Sequence, residues 1–520
     1  MKKIAYFLIS FLAGATLSAQ RPGDLNHDFG KEGIFIQHLV DTLSVVLNIA
    51  VLSDGHLVLP GDYNVTSSDA SQIYVQKLSP YGIPVPFGNF SRGFEYGLTD
   101  SEWANSICVM PDDKIIVSGI YLYEDIGYPF IIGLLPDGRL DDNFGVNGVF
   151  TDTSELQVEC MDILQTNNGY YIILGGFYFI LEPFSNVPAM LMINDAGSRE
   201  LSFGTAGKLG LETFSGRVLD MAVDSENNDL FVCGISYSPD NGGFVAKFNL
   251  PTGLPDTEFG EDGILMVPSA GTTGYFTQIV FDSTDNTLTL FGHYEHAAGD
   301  HDLLAYRIDS KQGRPDVTFG ISGWSLLRAA GSDEYMNAAI LQSDGKYYFG
   351  GSSDFFADTS DFFLGRVNHN GSADTSFGTL GLVLIHMAES QSIQGLALSP
   401  AEDMLYAAGF GYPGDLLDRY TVVTAFHTGY KKPQPVSISE NISGTVSLFP
   451  NPAKDHITIE TGIAGLYRAE VLDLTGKRLI QSDFQGNTLN LNIESLQPSV
   501  YFIRITRPDT QVTTSKFIKR

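Results

Sequence analysis

From residue 24 to about 430, short apolar runs alternate with polar, turn-forming clusters. Pairs of runs are separated by segments such as "LSDGHLVLPG" (52–61), "MPDDKIIVSG" (110–119) and "LQSDGKYYFGG" (341–351). Asp-Gly and Asn-Gly pairs between alternating hydrophobics mark hairpins, because type I′ turns need positive φ at both central positions. A third run follows each hairpin, as in "IYVQKL" (73–78), "GFVAKF" (243–248) and "LLAYRI" (303–308). A fourth, shorter run opens after a Phe-Gly turn. Period-2 alternation bounded by turn residues predicts strands, and no stretch of this body carries a 3.6-residue period.

The Phe-Gly turn sits inside a longer phrase: "PDTEFGEDG" (255–263), "PDVTFGISG" (315–323) and "ADTSFGTLG" (373–381). Its Phe recurs at 29, 87, 144, 203, 259, 319 and 377. Spacing this even identifies an internal repeat. Asp141, Asp256, Asp316 and Asp374 stand three residues before the Phe, where a short carboxylate can accept from backbone N–H groups ahead and hold a turn. Copy two departs, with Pro84 in place of the Asp and a late second Gly. A residue repeated this regularly reads as architecture rather than catalysis.

About four short antiparallel strands per unit, in seven units, predict an all-β fold: a seven-bladed β-propeller over residues 20–430. An open solenoid would need polar capping units, and the terminal units are as apolar as the inner ones. The phrase resembles that of the delta-60 repeat family, whose units carry "G-x-L-D-x-x-F-G-x-x-G" and form β-propellers.

The ends of the chain have other patterns. "MKKIAYFLISFLAGATLSAQ" begins with Lys2 and Lys3, continues apolar and ends in small residues, which predicts a secretory signal over 1–19. Residues 431–447 read as a linker, and 448–520 as a small C-terminal β-sandwich. That tail is similar to the type A sorting domains of the Bacteroidetes type IX secretion system. The residues that carry the resemblance are Phe449-Pro450-Asn451-Pro452, "DLTGK" (473–477, with Gly476 and Lys477), 496–505, and the basic end with Lys516, Lys519 and Arg520. The turn "PSVY" lacks the Gly that family usually has there. The resemblance implies export through the periplasm to the outer-membrane translocon as partner, then release or attachment at the cell surface.

Net charge is −31. Residues 21–430 hold 17 Lys+Arg against 53 Asp+Glu, whereas 448–520 hold 9 against 7. An acidic body excludes a nucleic-acid partner. After signal cleavage no further apolar stretch is long enough to span a membrane. Three cysteines, Cys108, Cys160 and Cys233, do not make a disulfide framework, and Cys108 and Cys233 lie in apolar runs that predict buried thiols.

Two candidate sites stand out. A Tyr follows the Gly that ends the second run at Tyr63, Tyr121, Tyr178, Tyr237, Tyr294 and Tyr412. If these share a rim, their apolar faces and polar tips suit sugars or peptides; packing beneath the loops is the competing reading. "GHYEHAAGDHD" (292–302) brings His293, Glu295, His296 and His301 within eleven residues, a donor set suited to a divalent cation as cofactor. Its position at an acidic, variable connection equally suits a solvated loop. "DLNHDFG" (24–30) begins like a calcium loop but has Phe where that loop needs Gly and Glu.

No nucleophile elbow, phosphate loop or zinc-protease pattern occurs. No residue is therefore assigned to catalysis. The sequence reads as a secreted or cell-surface binding protein for carbohydrate or protein. A polysaccharide hydrolase or lyase, or a structural adhesion component, remains the alternative.

Overall fold

The computed structural model describes residues 20–37, 42–65, 71–88, 93–98, 101–124, 126–153, 156–166, 169–180, 185–238, 241–267, 274–295, 301–327, 334–353, 360–386, 390–412, 419–432, 446–473, 477–506 and 512–520. The expected signal at 1–19 lies outside them. No helix occurs among the described residues. The chain divides into two compact units, 1–432 and 433–520.

Among the described residues the first unit contains seven small antiparallel sheets. One of them shows the plan. Gly274–Asp282, Thr287–Glu295, His301–Asp309 and Trp324–Leu327 pair in sequence order. Tyr275 lies opposite His293, His293 opposite Leu303, and Leu304 opposite Leu326. In such a meander the first-to-second and third-to-fourth connections share one end, here the turn end. The second-to-third connections and those between sheets share the other, the loop end.

Ring closure departs from sequence order. Ser390–Leu398, Met404–Tyr412 and Tyr420–His427 take as their fourth strand Ile34–Gln37, from the start of the chain. Ile34 faces Thr424 and Gln37 faces Thr421. The first and last sheets are thus joined, and the propeller is closed without a free inter-sheet edge.

Each phrase is a joint between neighbouring sheets. The seven Phe rings are at most 2% exposed. Each belongs to a hydrophobic cluster drawn from two sheets; Phe319, for example, packs with Leu303, Met336, Tyr347 and Phe363. A glycine in the next sheet's turn admits the ring: a Cβ on Gly371 would lie 2.9 Å from Phe319. The glycine after each Phe donates its N–H to that same neighbouring turn, as from Gly88 to Asp137 O (2.9 Å) and from Gly320 to Asn370 O (2.9 Å). The seventh joint uses the N-terminus instead: Gly378 donates to Pro22 O at 3.0 Å.

The phrase carboxylates do what a turn brace requires. Asp141, Asp256, Asp316 and Asp374 accept from the backbone N–H of Asn143, Glu258, Thr318 and Ser376 at 2.9–3.1 Å. They also neutralise cations that the sequence pattern did not single out. Lys247 lies 2.9 Å from Asp256, Arg307 lies 2.6 Å from Asp316, and Arg366 lies 2.8 Å from Asp374. Arg307 and Arg366 are each also 4.8 Å from the centre of their own phrase ring, Phe319 and Phe377. Copy two keeps its joint without an Asp: Phe87 is buried and Lys77 donates to Pro136 O.

Burial acts to raise the Asp374 carboxyl, but Ser376, Lys346 and Arg366 outweigh it and hold the pKa at about 2. That is below its ordinary 3.8, so the stabilisation is complete above about pH 4 and is lost as pH falls through about 2. Asp374→Asn is expected to lower stability at pH 7 and to flatten the dependence on pH between 4 and 2. Denaturant titrations across that range check it.

The tail unit is a sandwich made by one folded sheet. His456–Leu472 pairs with Arg478–Asn492 throughout, with Val446–Phe449 over its first part and Ser499–Thr506 over its last. Its register breaks between Glu460 and Gly465, and both halves contribute to one core, with Ile457, Ile459, Val471, Ile503 and Phe517. Two boundaries move. Val446 and Ser447, read as linker, belong to the first tail strand. Lys432, also read as linker, is tied to the propeller through Ala401 O (2.7 Å) and Glu402 (2.9 Å). Residues 433–445 lie outside the described residues.

Candidate functional site

The six tyrosines do occupy one edge. Each lies near the end of a second strand, toward the loop end, in six of the seven sheets. Their side chains differ in what they offer. The Tyr63 hydroxyl lies 2.8 Å from Gln72 Oε1 and 3.1 Å from Glu95 Oε2, which share its one hydrogen. Burial and the Glu95 charge push its pKa up to about 12, so it remains a donor at any physiological pH. Tyr121 is half-buried against Tyr128, with ring centres 5.7 Å apart. Tyr178 is half-buried, donates to Glu212 at 3.3 Å and carries the Lys208 ammonium 4.0 Å above its ring. A cavity of about 560 Å3 opens beside it, lined also by Thr153 and Arg199. Tyr237 is the most open of the four, at 38% exposed. The side chains of Tyr294 and Tyr412 lie outside the described residues. Packing therefore accounts for Tyr63 and Tyr121, while Tyr237 and the Tyr178 cavity are open to a ligand.

The histidine stretch is not a loop where it matters. His293 sits inside a second strand and is 2% exposed. Burial pushes its pKa down to about 3, with His301 adding to the effect, so the ring is neutral. It packs against Tyr275, Tyr335 and His301, with ring centres 4.3, 5.3 and 5.5 Å away. His301 begins the third strand, and its Nδ1 is 3.1 Å from the Tyr335 hydroxyl. His296 and the side chain of Glu295 lie outside the described residues.

Among the described residues another group has metal-binding composition, Asp282, Asp285 and His369 at the turn end. His369 Nε2 is 2.9 Å from Asp285 and 3.3 Å from the Arg307 guanidinium. A fixed guanidinium there disfavours a second cation. At the start of the chain, Asp24 and Asn26 accept from backbone N–H groups of Arg21 and Asp28, as turn braces.

The propeller axis holds a cavity of about 400 Å3, a feature the sequence reading missed. Six first strands carry a β-bulge, at Asn105, Glu159, Leu219, Thr277, Asn337 and Gln394, and all six line this cavity. The bulge residue reaches the next sheet: Asn105 to Val158 O, Thr277 to Met336 O (3.0 Å), Asn337 to Ile393 O (2.9 Å). The following residue accepts in return, Asp220 from Ile279 N (2.8 Å) and Gln278 from Ala339 N (3.2 Å). Burial pushes the Glu159 carboxyl up, against the pull of Arg217 at 3.4 Å. These groups stitch sheet to sheet around the axis. The available signal was a polar residue recurring inside the first strand of successive units.

Of the cysteines, Cys233 is buried and Cys108 half-buried; the Cys160 side chain lies outside the described residues.

In the tail, Asn451 anchors the Pro450–Pro452 turn to the last strand, donating to Lys516 O (3.2 Å) and accepting from Ile518 N (3.0 Å). Lys477, Lys516 and Arg520 are exposed, but Lys519 is 7% exposed, its ammonium turned back to Arg520 O. The exposed basic end is thus smaller than the sequence suggests. Gly476 lies outside the described residues.

Two known families match parts of the chain. Residues 447–520 match the secretion system C-terminal sorting domain. Residues 342–377 match a domain of unknown function (DUF5122) beta-propeller. Solved structures similar to the chain include Sqt1 from Chaetomium thermophilum, with 12% identity, a TM-score of 0.40, and 74% of this chain and 96% of that one covered. The Dos1 propeller has 10% identity and a TM-score of 0.42 over 78% and 94%. The polysaccharide lyase Uly1 has 10% identity and a TM-score of 0.43 over 74% and 90%. No curated protein gives a match. The body is a β-propeller, and the tail directs the chain through the type IX secretion system to the cell surface or extracellular space.

Proposed function

We propose that this exported β-propeller is a binding protein that presents its loop end to carbohydrate outside the cell. The observation that carries the reading is the contrast between its two ends. At the turn end the units repeat one phrase, and its Asp141, Asp256, Asp316 and Asp374 carboxylates are committed to backbone N–H groups and to cations. At the loop end the second-to-third connections share no sequence: "TSSDA" (66–70), "LEPF" (181–184), "HAAGD" (296–300), "PGDLLD" (413–418). Recognition concentrates in such variable connections on a rigid scaffold. Tyr237 and the cavity beside Tyr178 supply the amphipathic aromatic surface that sugars use.

A glycan array probed with the purified full-length protein tests the reading. Binding is expected to a defined set of glycans, and Tyr237→Ala is expected to weaken it about tenfold, the loss of one interfacial aromatic contact. Binding to no glycan overturns the proposal.

One observation favours a second reading, a structural or adhesive surface component. Large apolar side chains stand exposed at the turn end of successive sheets, among them Val146, Leu201, Leu254, Ile321 and Leu380, each more than 60% exposed. Exposed apolar surface of this kind marks contact with other proteins. Concentration-dependent sedimentation that Ile321→Ser abolishes is the result this second reading requires.

A further inference from the structure

We propose that His293 and His301 form a binding site for a divalent transition metal of the zinc class, at the loop end of the sheet that spans residues 274–327. The two residues lie on neighbouring strands. His293 pairs with Leu303, so His301 is its diagonal neighbour, two positions along on the same face. Their ring centres are 5.5 Å apart and the planes are inclined by 78°, an edge-to-face arrangement rather than a stack.

The second observation is chemical. Neither Nδ1 nor Nε2 of His293 has a hydrogen-bond partner, although the side chain is 2% exposed. A buried imidazole normally keeps at least one nitrogen bonded, and leaving both unmet is costly. A Lewis acid satisfies one of them directly. His301 is already oriented for the same task. Its Nδ1 meets the Tyr335 hydroxyl at 3.1 Å, an outer partner of the kind that fixes a ligating imidazole. With metal bound, Nδ1–H donates to the Tyr335 oxygen and Nε2 carries the lone pair. Imidazole donors favour zinc, copper or nickel over calcium or magnesium. The proposal is independent of carbohydrate binding, because it uses no residue assigned to that surface.

Zinc titrated calorimetrically into chelator-treated full-length protein tests it. One equivalent is expected to bind. His293→Phe, which keeps the buried ring volume, and His301→Gln, at a half-buried position, are each expected to weaken binding at least about tenfold, with unchanged far-ultraviolet circular dichroism. Tyr335→Phe is expected to weaken it by a smaller factor. Absence of zinc binding, or equal affinity in wild type and His301→Gln, overturns the proposal. If His293→Phe does not fold, His301→Gln alone decides, since its position tolerates a polar side chain.

Discussion

Phe319→Ala is expected to lower the unfolding free energy by about 3–5 kcal/mol, the range for deleting a fully buried aromatic ring. Phe319 is wholly buried and spans two sheets. Its removal leaves a cavity whose walls cannot easily collapse. One wall is the backbone of Gly371, held by its own turn hydrogen bond to Asn368 O at 2.8 Å. Another is the Arg307 guanidinium, fixed by Asp316 and by the carbonyl of His369. The ring therefore supports both apolar packing and the orientation of a buried cation. Equilibrium denaturation of the purified variant measures the loss, and a loss near zero would mean that the phrase is a surface turn rather than a joint.

Deletion of residues 20–37 is expected to have the largest effect of all. That segment supplies the fourth strand of the last sheet and the Pro22 carbonyl of the seventh joint. It also covers Gly429, where a Cβ would lie 2.4 Å from Pro22. Without it, one edge of Tyr420–His427 loses its partner and the ring is open between its first and last sheets. Exchange of the amide hydrogens of residues 421–424 is expected to rise by orders of magnitude, and thermal unfolding to lose its single cooperative step. Protection of those amides equal to the intact protein would show that the N-terminal strand is dispensable.

How much of this was legible in the sequence depends on whether a feature repeats. The Phe-Gly phrase was legible because all seven copies need the same buried ring and the same turn. Its basic partners were not, because the third-strand place held by Lys247, Arg307 and Arg366 is Gly133 before Asp141, which pairs with Lys114 instead, and is Lys77 where Pro84 replaces the Asp. Closure was hidden for a different reason. "GIFIQ" (33–37) looks like every other fourth strand, and a period carries no information about which third strand it joins. The bulges at Asn105, Thr277 and Asn337 left only a recurring polar position as their signal, because one extra residue in a strand disturbs alternation no more than an ordinary polar substitution does.

The candidate sites followed the same logic. The tyrosines all stand near the ends of second strands, but sequence alone does not distinguish Tyr63, whose hydroxyl is tied to Gln72 and Glu95, from the open Tyr237. His293 was read with its loop because its neighbours are polar. The structure puts it inside a strand, since strand Thr287–Glu295 extends well beyond its apolar run. Lys519 looked like part of a basic end, yet alternation along Val512–Lys519 turns it inward while Lys516 and Ile518 face out.

The central claim is that the loop end recognises a ligand while the turn end serves the architecture. Two surface variants measured side by side on the glycan array test it most directly: Tyr237→Ala at the loop end and Ile321→Ser at the turn end, both at exposed positions. The account predicts that glycan binding falls about tenfold in Tyr237→Ala and is unchanged in Ile321→Ser. Binding that survives in the first and falls in the second would contradict it.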